Sequence, residues 1–297
     1  MTTTPVEEPP QESCAVQDGD DDNGDDDRQY LFLIRHGDRW DYSFPEWKKL
    51  PTSRLGDSPL SPLGHQQARE VGQYLDTWLY ERKYTSKDMT WFSSPFLRCI
   101  QTSDNALNAF RRTIDVTSDE PKILPEYSIF EWDGHNGEWH KDLPTLDERK
   151  NYFPRLDISH ESLFVPIMPE PRSVFFDRCQ RTVDTFEKKF PYKPRQVFLM
   201  VSHAAGCIAM AKTLTGLDLS GITPAGPCSI YRFSRTAESK PWSLDAHDKA
   251  DGMNGYTQHL SDMGTKTVPW NNFGDGDTKF YTGPPTSRFA PPSPNDD

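Results

Sequence analysis

Two histidines and two arginines stand where their chemistry could combine. The stretch "LFLIRHGDRW" puts Arg35, His36 and Gly37 at the end of an apolar run, and "VFLMVSHAAG" puts His203 at the end of another. Between them, "MTWFSSPFLR" passes from a short apolar segment through Ser93, Ser94 and Pro95 to Arg98. Together Arg35, His36, Arg98 and His203 would form a cationic pocket holding two imidazoles. Its natural ligand is a phosphoryl group, which brings negative charge to neutralise and a phosphorus to attack. A neutral imidazole can attack that phosphorus and carry it as phosphohistidine. Flanking cations would lower the imidazole's pKa and keep it unprotonated near neutral pH. The same cations would stabilise charge in the transition state, the main task in phosphoryl transfer.

The elements around these residues must bring them together. Tyr30 to Ile34 and "QVFLMV" read as strands buried on both faces, "MTWF" as a short strand, and "CSIYRFSRT" as a final one. Ala68, Val71, Leu75, Trp78 and Leu79 recur at helical spacing, behind a Ser61 cap and a first-turn Pro62. A second helix is expected over "FLRCIQTSDNALNAFRR", with Ser94 as its cap and Pro95 in its first turn. Val174, Phe175, Cys179, Val183 and Phe186 mark a third, and "AAGCIAMAKTLTG" a fourth that ends at Gly216. Strands alternating with helices predict an α/β fold with a largely parallel sheet. In such sheets ligands sit outside the carboxyl ends of the strands, where both histidines fall. A helix N-terminus at Arg98 would add an anion site.

Composition sets the limits. The 297 residues carry a formal net charge of −12, and mean hydropathy is −0.78. Residues 1–28, with the run "DGDDDNGDDD", hold ten acids against one arginine. They and the Pro-rich residues 283–297 cannot bury enough apolar surface to order and are expected to be disordered tails. The catalytic domain is expected over 29–282, with a Pro-rich insertion at about 134–172. No basic face suggests nucleic acid. No run is long enough to span a bilayer, and no secretory signal is expected. The cysteines Cys14, Cys99, Cys179, Cys207 and Cys228 lack paired spacings, so free thiols in a reducing, cytoplasmic setting are expected.

The motifs "LIRHG", "SSPFLRCIQT", "IFEW" and "MVSH", in this order, resemble the histidine phosphatase superfamily, also called phosphoglycerate mutase-like, as does "DSPLSPLGHQQA". The resemblance covers roughly Tyr30 to Phe233. Within it, "RHGDRWD", "LRCIQT", "FEW" and "FFDRC" are similar to the suppressor of T-cell receptor signalling phosphatase domains, and "VPWNNF" more loosely so. No ubiquitin-binding or adaptor domain is expected within these residues. The resemblance implies a three-layer fold with a mostly parallel central sheet flanked by helices. It implies His36 as nucleophile, Arg35, Arg98 and His203 as phosphate ligands, with His203 also a catalytic residue stabilising the transition state, Arg39 as an additional pocket arginine, and Glu131 as general acid. Glu126 is a competitor for that last role. Glu131, between Phe130 and Trp132, is expected to have its pKa raised by desolvation. "SHAAG" departs from the family, whose members often have glycine directly after the second histidine.

The implied activity is phosphomonoester hydrolysis without cofactor or metal. A mutase, or a phospho-ligand binding module without turnover, are the alternatives. "HNGEWH" (His135 to His140) offers no third metal ligand. Trp40, Tyr42, Phe44 and Trp47 could wall a site for phosphotyrosine or another aryl phosphate, or could simply pack a loop. The expected partner is a phosphorylated small molecule or phosphoprotein.

Overall fold

The computed structural model describes residues 27–114, 120–133, 143–245, 259–264, 270 and 273. Both expected tails (Asp27 and Arg28 apart), Cys14, His135 and His140 lie outside those residues.

Tyr30 to Ile34 lie in strand β1 (Gln29–Arg35), which is buried throughout. Successive strand side chains leave opposite faces. Tyr30, Phe32 and Ile34 therefore enter one core, and Leu31 and Leu33 another. A strand apolar on both faces needs cover on both. The remaining elements are α1 (Trp40–Ser43), α2 (Pro62–Glu81), β2 (Met89–Ser93), α3 (Leu97–Ala109), β3 (Ile123–Pro125), α4 (Leu146–Lys150), α5 (Arg172–Lys189), β4 (Val197–Ser202), α6 (Ala204–Thr215), β5 (Ile230–Arg235) and β6 (Ser243–Leu244). Strand order is β3-β2-β4-β1-β5-β6. Strands β1 to β4 pair in parallel, while β5 and β6 are antiparallel additions. Val71, Leu75 and Trp78 of α2 and Ile100 and Leu107 of α3 cover one face. Phe175 and Phe186 of α5 and Cys207 and Ile208 of α6 cover the other. The fold is the three-layer α/β arrangement that the motifs implied.

Register places the site. Arg35 of β1 stands opposite Ser202 of β4, so the next residue on each strand is His36 and His203. The two imidazoles leave the carboxyl edge side by side, their centroids 5.4 Å apart. Ser93 of β2 pairs with Val201, which brings Ser94 to the same edge. Helix α2 is capped as expected: Ser61 accepts from Gly64 N, and Pro62 opens the helix. Its start presses backbone to backbone on the loop after β1. A Cβ on Gly64 would fall 2.2 Å from Asp38 O, and one on Gly37 would fall 2.7 Å from Gly64 O.

Two expectations need correction. Helix α3 begins at Leu97, and Ser94 does not cap it; Phe96 is the N-cap, without a side-chain bond. The Leu97 N–H donates instead to Asp57 Oδ1 at 2.8 Å, which leaves the Ser94 hydroxyl for the site. On α5, Val174 is exposed. The buried stripe starts at Phe175, because only that phase faces the sheet. In the expected insertion, residues 143–171 contain only α4 as regular helix, and Arg172 already opens α5. Arg149 ties it to Asp57 (2.6 Å), and Leu156 bridges to Ile123 beside β3. The described cysteines are buried thiols, none in a disulfide. Among the described residues no helix is long and apolar enough to cross a membrane.

Arg178 on α5 braces the loop leading to Glu131. Its guanidinium donates to Glu170, to Ser128 O (2.9 Å) and to Phe130 O (3.0 Å), all buried. Breaking a buried pair strands a charge. Arg178→Met should therefore cost about 3 kcal/mol of unfolding free energy in a denaturant titration; a change near zero would contradict the brace.

Candidate active site

His36 is held on every side through its backbone. Its N–H donates to Ser202 O (3.0 Å), and its carbonyl accepts from Cys228 N (3.2 Å). The next two amides are also held: Gly37 N donates to Thr102 Oγ1 on α3 (3.1 Å), and Asp38 N to Gln67 Oε1 on α2 (2.9 Å). The imidazole is fixed by one further bond, His36 Nδ1 to Gly37 O at 2.8 Å. A carbonyl can only accept, so Nδ1 carries the proton and Nε2 presents a lone pair. Burial, then Arg98, Arg35 and His203, hold this imidazole well below its ordinary pKa of 6.5. It is a neutral imidazole in a desolvated, cationic site.

His203 faces the same space from β4. Its Nδ1 lies 3.1 Å from Glu131 Oε2 and 3.1 Å from Arg98 Nη2, and Arg98 Nη2 also donates to Glu131 Oε2 at 3.2 Å. Behind it, Ser94 Oγ lies 2.9 Å from Nε2. Burial drives His203 down to about 4, with Glu131 opposing and Arg98 reinforcing. With His203 neutral and Glu131 ionised, Nδ1–H donates to the carboxylate, and Nε2 accepts from the Ser94 hydroxyl. Both histidines thus share the Nδ1–H tautomer.

Glu131 differs from expectation. Burial does push its pKa up, but His203, Arg98 and Arg39 outweigh burial and hold the carboxyl below the usual carboxylate range. Glu126, the competitor, is spent structurally. It is buried, and its carboxylate accepts from Ser128 N (2.9 Å), Leu163 N (3.1 Å) and His160 Nε2 (3.1 Å).

The other arginines complete the charge. Arg35 Nη1 donates to Ala225 O at 2.7 Å, and burial lowers its pKa, with Glu131 and Arg39 among the charges it senses. Arg98 is fully buried. Its Nη1 donates to Gly56 O at 3.1 Å, and its Nε has no hydrogen-bond acceptor among the described residues. A desolvated donor of this kind is costly until an anion accepts from it. Arg39 makes a bidentate pair with Asp41 (both 2.9 Å) and donates to the Tyr42 hydroxyl (2.9 Å). The structure thus gathers Arg35, His36, Arg39, Arg98, Glu131 and His203 into one pocket. The ligand atoms of His36, Glu131 and His203 lie within 4.8 Å of one another, a spacing that could suit a metal ion. The donor set argues otherwise, since the buried Arg98 already contacts two of the three and would repel a cation. Of the four aromatics, Tyr42 packs under the Arg39 guanidinium, Trp40 and Phe44 pack together, Phe44 is exposed and Trp47 is half-buried.

Sequence reasoning missed Ser94, Thr102 and Gln67 as site residues. All three lie inside the quoted motifs, but local patterns read Ser94 as a cap and the others as helix interior.

With the geometry in hand, comparison with known proteins places the chain. The profile of the histidine phosphatase superfamily (branch 1) matches residues 31–247. The chain belongs to that superfamily. An ecdysteroid-phosphate phosphatase of Drosophila melanogaster is 23% identical over 251 residues, 75% of this chain and 31% of that protein. The ubiquitin-associated and SH3 domain-containing protein A of Homo sapiens is 27% identical over 221 residues, 64% of this chain and 32% of that protein. The chain therefore aligns with about a third of the length of these curated relatives. A solved ecdysone phosphate phosphatase from Bombix mori, in complex with tungstate, shares the fold with TM-score 0.51 at 21% identity, over 73% of this chain and 92% of that one.

Nitrogen-15 NMR at neutral pH should show both His36 and His203 protonated at Nδ1 only. On lowering the pH, burial and the arginines should delay protonation of His36 until well below 6.5. Ser94→Ala should redistribute the His203 tautomers and leave His36 unchanged. A protonated Nε2 on His36, or a midpoint at or above 6.5, would contradict the geometry.

Proposed function

We propose that this chain hydrolyses phosphomonoesters through a phosphohistidine at His36, within a catalytic unit spanning about 29–282. The observation that carries this is the His36 Nδ1–Gly37 O bond, which leaves the Nε2 lone pair in a pocket of buried guanidinium groups. In the first step Nε2 attacks phosphorus. The N–P bond forms as the P–O bond to the leaving group breaks, and Glu131 gives that oxygen its proton. In the second step Glu131 takes a proton from water, which attacks phosphorus, breaks the N–P bond and releases phosphate. Arg35, Arg98 and the His203 Nδ1–H hold the phosphoryl oxygens and stabilise their growing charge.

Glu131 begins ionised, so the substrate must change its state. A phosphoryl dianion seated on Arg98 and the His203 Nδ1–H takes over the positive charge and the hydrogen bond that hold the carboxyl down, and a second negative charge beside it raises its pKa. The acid is thus armed by binding. Arg39, paired with Asp41, adds positive field at the rim.

The relatives named for ecdysteroid phosphate and ecdysone phosphate, together with the exposed Phe44 and the tilted Trp40–Phe44 pair next to Arg39, favour an aryl or polycyclic phosphate, phosphotyrosine included. The buried thiols favour a reducing, cytoplasmic setting, and no step requires a metal.

Release of phosphate from para-nitrophenyl phosphate, with a chelator present throughout, should be lost on His36→Ala by about a thousandfold or more. Activity that survives this change, or that disappears with the chelator alone, would sink the proposal. Isomer formation from a phosphoglycerate without phosphate release would point to a mutase.

A further inference from the structure

The loop Ala225–Ser229 backs the reacting pair. Arg35 Nη1 donates to Ala225 O at 2.7 Å. The Arg35 amide donates to Ser229 O at 3.1 Å, and Cys228 N donates to the His36 carbonyl at 3.2 Å. Cys228 is fully buried, with a left-handed backbone at φ +55°. A residue with a Cβ keeps that conformation only where its surroundings over-determine it.

What holds the far side of the loop lies beyond the superfamily match, which ends at residue 247. Trp270 pairs with Ala225 by two backbone bonds, N to O at 2.9 Å and O from N at 3.1 Å. The carbonyl that orients Arg35 therefore also accepts from Trp270. His259 Nε2 lies 3.1 Å from Cys228 O. A carbonyl only accepts, so Nε2–H donates and pins the strained residue. His259 is itself stacked on Tyr74, with centroids 5.1 Å apart. The neighbouring Asp262 O accepts from Gln67 Nε2 at 3.1 Å, and the same side chain holds Asp38 N through Oε1. Ser261 fastens this stretch to Glu70 through both its amide and its hydroxyl.

We propose that His259 is a positioning residue: through its Nε2–H bond to Cys228 O, it fixes the loop that sets Arg35 and His36 against the phosphoryl group. The described stretch 259–264, with Trp270, is then part of the support of the site. Its described residues act on backbone carbonyls of the loop, His259 Nε2–H on Cys228 O and Trp270 N–H on Ala225 O. This inference rests on the phosphatase reading above.

The test uses the full chain and two polar variants. His259→Gln carries an amide nitrogen as many bonds from Cβ as Nε2, whereas the amide of His259→Asn falls short of Cys228 O. The readouts are kcat and KM for para-nitrophenyl phosphate, affinity for orthovanadate, and melting temperature. His259→Asn should lower kcat about tenfold and weaken orthovanadate binding, since small misplacements of reacting groups are costly. His259→Gln should recover to within about threefold of the intact protein at a melting temperature like that of His259→Asn. In an active intact protein, equal behaviour of the two variants, or a difference explained by melting temperature alone, would overturn the role of His259 only. An intact protein that neither binds orthovanadate nor turns over substrate would overturn the phosphatase reading itself, and this role with it.

Discussion

Arg35 and Arg98 lie beneath the surface at one edge of the sheet, and a desolvated guanidinium must be compensated. Among the described residues Arg98 is compensated only in part, since its Nε has no acceptor. Arg98 finds Glu131 and the Gly56 carbonyl, and Arg35 has the Ala225 carbonyl. Arg39, by contrast, has Asp41 in a bidentate pair. Burial, reinforced by Arg98 at both and by Arg35 at His36, keeps the two imidazoles unprotonated. The neighbouring donors and positive charge keep Glu131 ionised although burial opposes it. Each protonation state in the site follows from burial set against these charges.

Holding such a site costs rigidity elsewhere. The parallel register of β1 and β4 brings His36 and His203 out together, and both cores must be filled for that register to persist. The loop after β1 is then anchored from α2, from α3 and from the strained Cys228. Backbone contact at Gly37 and Gly64 leaves no room for a side chain at either position. Packing, register and backbone hydrogen bonds set the position of the His36 ring before any substrate arrives. That is the preorganisation a charge-stabilising mechanism requires.

Much of this was legible in the chain because burial on two faces leaves an unbroken apolar run. Tyr30–Ile34 and Val197–Val201 are such runs, and their shared ending in histidine marked the site. The Ser61–Pro62 start of α2 was equally legible, since a cap is a local device. Ser94 was not, because its partner His203 lies 109 residues away and a Ser-Pro pair ahead of a helix reads as capping. The Glu131 pKa went the other way from expectation for a related reason. Its burial follows from the flanking aromatics, but the charges that outweigh burial come from α3 and from the end of β4. Val174 matched helical spacing yet faces outward, because periodicity does not fix which edge of a stripe meets the sheet. The stretch from His259 to Phe273 offered no period at all, and its known ties to the loop run largely through main-chain atoms.

The central claim is that His36 Nε2 carries the phosphoryl group during turnover. Rapid quenching of the intact protein with an aryl phosphate, followed by peptide mass spectrometry under alkaline conditions, tests it most directly. The expected result is an acid-labile, base-stable phosphoryl group on the peptide containing His36, absent when Arg98 is replaced by alanine. A phosphoryl group on any other residue, or turnover with no trapped intermediate at any quench time, would contradict it.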